Sequence, residues 1–201
     1  PGPGCANLTP ALLESLASCA PVIALCPGTD GRIEGKGAFQ ETNQVGIMTP
    51  VTKWATRVLY TEKIPWVLHR AFSIATNGQP GPIFIEIPVE VGRSKAEVPD
   101  YIPAIRSLRT AGDPLQIKKA VDLINQSKRP FIISGGGARN SSAHDELKVL
   151  AELLGMPIIT TPSGRGIIEE DHPLYFGQVG LYRNQLGIEI FPEADLLITV
   201  G

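Results

Sequence analysis

Cysteine is scarce in this chain. Cys5, Cys19 and Cys26 make an odd count with no Cys-x-x-Cys spacing, which argues against a disulfide framework and against a zinc site. A reducing, cytoplasmic setting is the compartment this implies. Histidine is equally sparse. His172 follows Glu169, Glu170 and Asp171, but neighbouring loop residues seldom converge on one ion, so a solvated acidic turn is expected and no metal ligands are assigned. There is no surplus of positive charge: 18 Lys and Arg face 20 Asp and Glu, scattered along a chain of net charge -2. That leaves no electrostatic footprint for nucleic acid. No apolar run approaches the ~20 residues that span a bilayer, so no membrane partner is expected. Gly35-Lys36-Gly37 lacks the spacing and the Ser or Thr of a phosphate loop. Spacing assembles no Ser/His/Asp or Cys/His set, because such sets are defined by geometry rather than by sequence interval.

What the chain does have is a hydrophobic content of 43 %, enough for a core, punctuated by 21 Gly and 18 Pro. Gly2-Pro3-Gly4-Cys5-Ala6-Asn7 predicts a tight turn. Gly2 and Gly4 supply torsions that a side chain would block, and they let a flat ligand approach the main chain. Asn7 stands where a helix cap belongs. Leu8, Leu12, Leu13 and Leu16 then mark one face of a helix over 8–19. A short buried strand is expected over 22–26 and a loop over 27–37. A helix over 61–77 has Pro65 in its first turn and ends at Asn77-Gly78. A strand follows over 82–87. From 91 to 114 the pattern dissolves around Pro99, Pro103, Gly112 and Pro114. A second alternation then begins: helix 115–125, strand 130–134, helix 144–154, strand 157–161, a long loop holding a short helix, and strand 196–200. Helices alternating with β-branched strands predict an α/β fold of open parallel sheets.

Four segments carry a resemblance. They are the Gly2–Asn7 turn, Gly37-Ala38-Phe39-Gln40-Glu41, Val51-Thr52-Lys53-Trp54-Ala55, and Gly78-Gln79-Pro80-Gly81-Pro82-Ile83-Phe84-Ile85-Glu86-Ile87-Pro88. In this order, and with the apolar run 21–25 between the first two, the chain resembles thiamine-diphosphate-dependent enzymes of the acetolactate synthase type. Cys5 and Ala6 replace the family's Ala-Thr, a mild departure. The resemblance implies two incomplete open parallel sheets with flanking helices. Residues 1–92 would be the C-terminal part of a pyrimidine-binding domain, 93–113 a linker, and 114–201 the N-terminal part of a Rossmann-like central domain. On that reading the chain is a piece of a longer enzyme, and the piece by itself is inactive.

The resemblance also implies chemistry. The parent would use thiamine diphosphate and Mg2+, bound between two subunits of a homo-oligomer, either dimer or tetramer. Its substrates would be a small 2-oxo acid or 2-hydroxy ketone, with a carbon–carbon bond made or broken beside a carbonyl. Pro3 and Gly4 would pack against the aminopyrimidine ring, Asn7 would support the turn, Phe39 would form an apolar wall, and Gln40 would be the catalytic-side amide facing the substrate carbonyl. Gly135, Gly136 and Gly137 follow a strand and precede a helix. With Thr160 and Thr161 they would outline a crevice for FAD or ADP. The glycines do not form Gly-x-Gly-x-x-Gly, so a tight turn with close packing is the competing reading. FAD-binding acetolactate synthases carry an arginine shortly before the lysine of the Thr-Lys pair. Thr49 stands at that place ahead of Lys53, which argues against the flavin. A benzaldehyde-lyase-like or 2-hydroxyacyl-CoA-lyase-like enzyme is the alternative within the family, and a nucleotide-binding or structural α/β module is the alternative outside it.

Overall fold

A computed structural model describes residues 1–98, 100–105 and 110–201, with Tyr182 described in its backbone only. The chain forms two compact units, Pro1–Arg109 and Thr110–Gly201. Pro99 and residues 106–109 of the expected linker lie outside the described residues. The described residues of 94–113 carry no helix or strand.

The first unit contains α1 (Pro3–Ala6), α2 (Thr9–Ala17), β1 (Ile23–Gly28), α3 (Gln44–Met48), β2 (Trp54–Arg57), α4 (Ile64–Thr76), β3 (Ile83–Pro88) and α5 (Val89–Arg93). Its sheet is parallel, in the order β1-β3-β2. The central strand β3 has both faces covered. Ile83 and Ile85 pack with Val67, Ala71 and Ala75 of α4, while Phe84 packs with Cys5, Leu12, Cys26 and Met48 on the opposite face. This near-continuous apolar run is what a buried parallel strand requires. The edge strand β1 differs from the expectation of a buried strand: Val22 beside it and Leu25 within it are exposed. On α2 the buried positions are Leu12 and Ser15, whereas Leu13 is 53 % exposed. The inward stripe is therefore rotated from the leucine pattern, since the corner before the helix sets its approach to the sheet.

The strand β2 escaped the sequence reading because Thr56 and Arg57 interrupt its apolar character and Thr52 and Lys53 precede it. Tertiary contacts explain those residues. Lys53 Nζ donates to the carbonyl oxygens of Ile74, Asn77 (3.0 Å) and Gln79 (2.6 Å), closing the C-terminal end of α4. The cation over Trp54 is thus Arg70, 5.4 Å from the ring centroid, and not the adjacent lysine.

The second unit contains α6 (Pro114–Gln126), β4 (Pro130–Ser134), α7 (Gly136–Asn140), α8 (His144–Leu154), β5 (Ile158–Thr160), β6 (Tyr175–Gln178), α9 (Gln185–Ile190) and β7 (Leu196–Val200). The sheet is parallel in the order β6-β5-β4-β7. Its core joins Ile132, Ile158 and Met156 to Leu147 and Ala151 of α8 and to Ile167 and Ile168. Within the long expected loop, β6 is an added edge strand. Its irregular register against β5 and Gly177 at φ +89° hid it from period-two reading. Both units are open parallel sheets with flanking helices, the α/β architecture that the alternation predicts.

Candidate functional site

The opening residues form a helical turn, α1, rather than an irregular corner. Gly2 starts it at φ +57°, and a Cβ there would lie 2.6 Å from the Gln40 carbonyl oxygen. Glycine is therefore required at position 2 on two counts, conformation and space. Gly4 is an ordinary helical residue with open space around it. Pro3, Gly4 and Asn7 are exposed, while Gly2 and Cys5 are buried. Asn7 supplies the C-cap backbone of α1, and Leu8 is the N-cap of α2 without a side-chain cap, so no capping bond of Asn7 holds the helix start.

The side chain that fastens this corner is Gln44. It is 2 % exposed. Its Oε1 accepts from Gly2 N at 3.1 Å, and its Nε2 donates to Pro27 O at 3.1 Å. One amide thus ties the start of α1 to the carboxyl end of β1. The residue was missed in the sequence because its role depends on partners at positions 2 and 27.

Gln40 is exposed, and its backbone takes φ +58°, an uncommon value for a side-chain-bearing residue. Its carbonyl and Cβ lie against Gly2, so the two resemblance segments meet in space. Phe39 is 87 % exposed. Glu41 organises the loop: its carboxylate accepts from Gly35 N and from Ala38 N at 2.9 Å. These backbone bonds hold its pKa below the usual carboxylate value. The carboxylate thus takes up backbone N–H groups on either side of Lys36.

A cleft of about 830 Å³ lies between this loop and the sheet, lined by Gly37, Ala38, Thr42, Ala55, Arg57 and Glu86 among others. Glu86 is 4 % exposed, on the same face of β3 as Phe84. Burial raises its pKa, and Arg57 and a hydrogen bond from Gln44 offset this only in part. Arg57 NH1 lies 3.8 Å from Glu86 and 2.7 Å from Glu34, and NH2 donates to Thr29 O at 3.0 Å. Gly28 is forced by Glu86, whose Oε1 would lie 2.1 Å from a Cβ there.

In the second unit the carboxyl ends of β4 and β7 meet where the strand order reverses, the place where open α/β sheets bind ligands. Gly135 sits there, its N–H donating to Val200 O at 2.7 Å. A Cβ at Gly135 would lie 2.6 Å from Gly201 O, one at Gly137 2.9 Å from Gly201 Cα, and one at Gly136 2.9 Å from the Ser163 side chain. The glycines thus admit the chain's own backbone. Thr160 is fully buried on β5, and Thr161 accepts from Gly164 N at 3.2 Å. Thr160 Oγ1 lies 3.5 Å from Tyr175 Oη and 3.5 Å from Gly177 O. Thr49, at the place of the flavin-associated arginine, spends its hydroxyl on Val45 O at 2.7 Å. His172 bonds Glu152 at 3.1 Å and accepts from Leu174 N at 3.2 Å, a structural arrangement. Among the described residues no cluster of three His, Cys, Asp or Glu could hold a metal ion, and no helix is long and apolar enough to cross a membrane.

Two open parallel sheets with flanking helices define the class. Residues 117–201 match the family model "Thiamine pyrophosphate enzyme, central domain". The whole chain aligns with the probable acetolactate synthase large subunit of Methanocaldococcus jannaschii at 40 % identity, covering 35 % of that protein. It aligns equally completely with the probable acetolactate synthase large subunit of Methanococcus aeolicus at 37 %, covering 34 %, and with the acetolactate synthase large subunit of Corynebacterium glutamicum at 33 %, covering 32 %. The chain belongs to the thiamine pyrophosphate enzymes, with acetolactate-synthase-like homology along its whole length. It spans about a third of the length of these relatives.

Proposed function

We propose that the chain is part of a thiamine-diphosphate- and Mg2+-dependent carboligase of the acetolactate synthase kind, acting on 2-oxo acids in a cytoplasmic homo-oligomer. Residues 1–92 would serve as the end of a pyrimidine-binding domain, 93–113 as a linker and 114–201 as the start of the central domain. The observation that carries this reading is the meeting of Gly2 with Gln40, fixed from beneath by Gln44, in a chain homologous throughout to acetolactate synthase large subunits.

The corner fits a flat heteroaromatic ring. Pro3 and Gly4 leave an open apolar face, nothing crowds Gly4, and the buried Gly2 and Cys5 lie behind it. When bound, thiamine diphosphate supplies the carbanion chemistry. The chain's own residues would orient and enclose it: Pro3 and Gly4 against the ring, Asn7 beside the turn, and Gln40 aiming its amide at a substrate carbonyl. For the second unit we favour packing over nucleotide binding at Gly135, Gly136, Gly137, Thr160 and Thr161, since the chain itself occupies the space beside the glycines.

The test is a chimera in which these 201 residues replace the aligned stretch of the Corynebacterium glutamicum large subunit. Acetolactate formation from pyruvate is expected, dependent on thiamine diphosphate and Mg2+. Gly2→Ala should weaken cofactor affinity at least 10-fold. A folded chimera whose cofactor affinity ignores position 2 would sink the assignment of the corner. We expect the 201 residues alone to leave pyruvate unconsumed, and turnover by them alone would sink the division of labour.

A further inference from the structure

Two of the scarce cysteines have been brought together. Cys5, in α1, and Cys26, in β1, are 2 % and 8 % exposed and share one small core with Leu12, Met48, Val51 and Phe84. The Gln44 amide independently pins the surrounding backbone, bonding the residue that starts α1 and the residue that follows Cys26. We propose that Cys5 and Cys26 are a modification site: they form a reversible intrachain disulfide that locks the Pro3–Gly4 turn to strand β1. This inference does not depend on the proposed catalytic function.

Both thiols are free in the structure. Burial first, and then the neighbouring Cys26, push the Cys5 thiol up to about 12. The Cys5 thiol therefore stays protonated near neutral pH, and exchange is slow while the turn stays closed. The turn is a four-residue helix with Pro3 and Gly4 exposed, which gives oxidant a route when it opens. The reaction balances with a small-molecule disulfide as oxidant. A thiolate attacks one of its sulfurs and releases one small thiol. The second cysteine then displaces the other. Two protein thiols are oxidised, one S–S bond is reduced, and two small thiols leave. Cys19 differs: it is partly exposed, and its sulfur accepts from Gln79 Nε2 at 3.1 Å.

The test uses the full 201-residue chain carrying Cys19→Ser. Folded protein is incubated with oxidised glutathione, and thiols are counted after denaturation. Cleavage after Glu14 separates Cys5 from Cys26. The expected result is loss of both thiols and of two hydrogens in mass. The peptides 1–14 and 15–34 should remain joined until reductant is added, and amide exchange over residues 2–6 should slow at least 10-fold. Chain unfolded in urea, where the pair is no longer held together, should instead collect mixed disulfides with glutathione. Persistent free thiols in the folded chain, or glutathione adducts on both cysteines, would overturn the proposal. In the unsubstituted chain, oxidation that pairs Cys19 with either residue would overturn it as well.

Discussion

At the scale of single residues, the candidate site hangs on side chains that carry no motif of their own. Gln44 satisfies one buried N–H and one partly buried C=O with the two ends of its amide. Gln44→Leu strands both groups, and urea denaturation should show a loss of about 2–3 kcal/mol. Glu86 behaves differently. Its raised pKa means that the folded state binds protons more tightly than the unfolded chain. Its carboxylate therefore lowers stability as pH rises from about 4.5 through the folded pKa, and the penalty disappears on acidification. Glu86→Gln should accordingly stabilise the chain at pH 7, with the gain fading as thermal melts are repeated towards pH 4. A variant whose advantage grows on acidification would contradict this origin.

Elements show which local rules survive in the tertiary setting. Helix α8 ends on Gly155 at φ +61° with open space around its Cα. Gly155→Ala thus meets a torsional penalty without a clash, and about 1 kcal/mol of stability should be lost in chemical denaturation. Strand β7 is tied to the start of β4 by Asp195, which accepts from Ser127, from Lys128 N at 2.8 Å and from Arg129 N at 2.9 Å. These bonds pull its pKa down to about 2. A depressed pKa gives stability that is complete above the ordinary value near 3.8 and is lost as pH falls through about 2. Asp195→Asn should therefore be less stable than the parent at neutral pH, and the two melting curves should converge between about pH 4 and 2. The helices expected over 61–77 and 115–125 and the strands 130–134 and 196–200 were legible in sequence, because helical spacing, Pro65 in a first turn and runs of β-branched residues are local signals; the helices themselves begin at Ile64 and Pro114. Strands β2 and β6 were not, because their identity comes from pairing with β3 and β5.

For the whole molecule, each unit has its own core: Ile132, Ile158 and Met156 in the second, and Ile83, Ile85 and Phe84 in the first. Ile158→Ala removes fully buried volume. It should cost about 2–5 kcal/mol, read as faster amide exchange across β4, β5 and β7. Retained protection in those strands would show that Ile158 does not carry the second core. At this scale the candidate site was half legible. Gly2, Gly4 and the glycine run stood out as residue types suited to close approach, and Pro3 and Gln40 came from the resemblance. Gln44, Arg57 and Glu86 did not stand out, since a polar residue in an apolar stretch gives no sign of whether water or a buried partner will satisfy it.

The sequence by itself determined the α/β class and the parallel strands, because alternating periods and turn residues act over a few neighbouring positions. It also determined the family, through segments kept in order along the chain. Only the tertiary structure decided that residue 2 meets residue 40, that one amide joins residues 2 and 27, and that Cys5 lies against Cys26. Those contacts bridge distant positions, and their strength comes from a desolvated interior that exists only once both sheets of side chains have closed around β3.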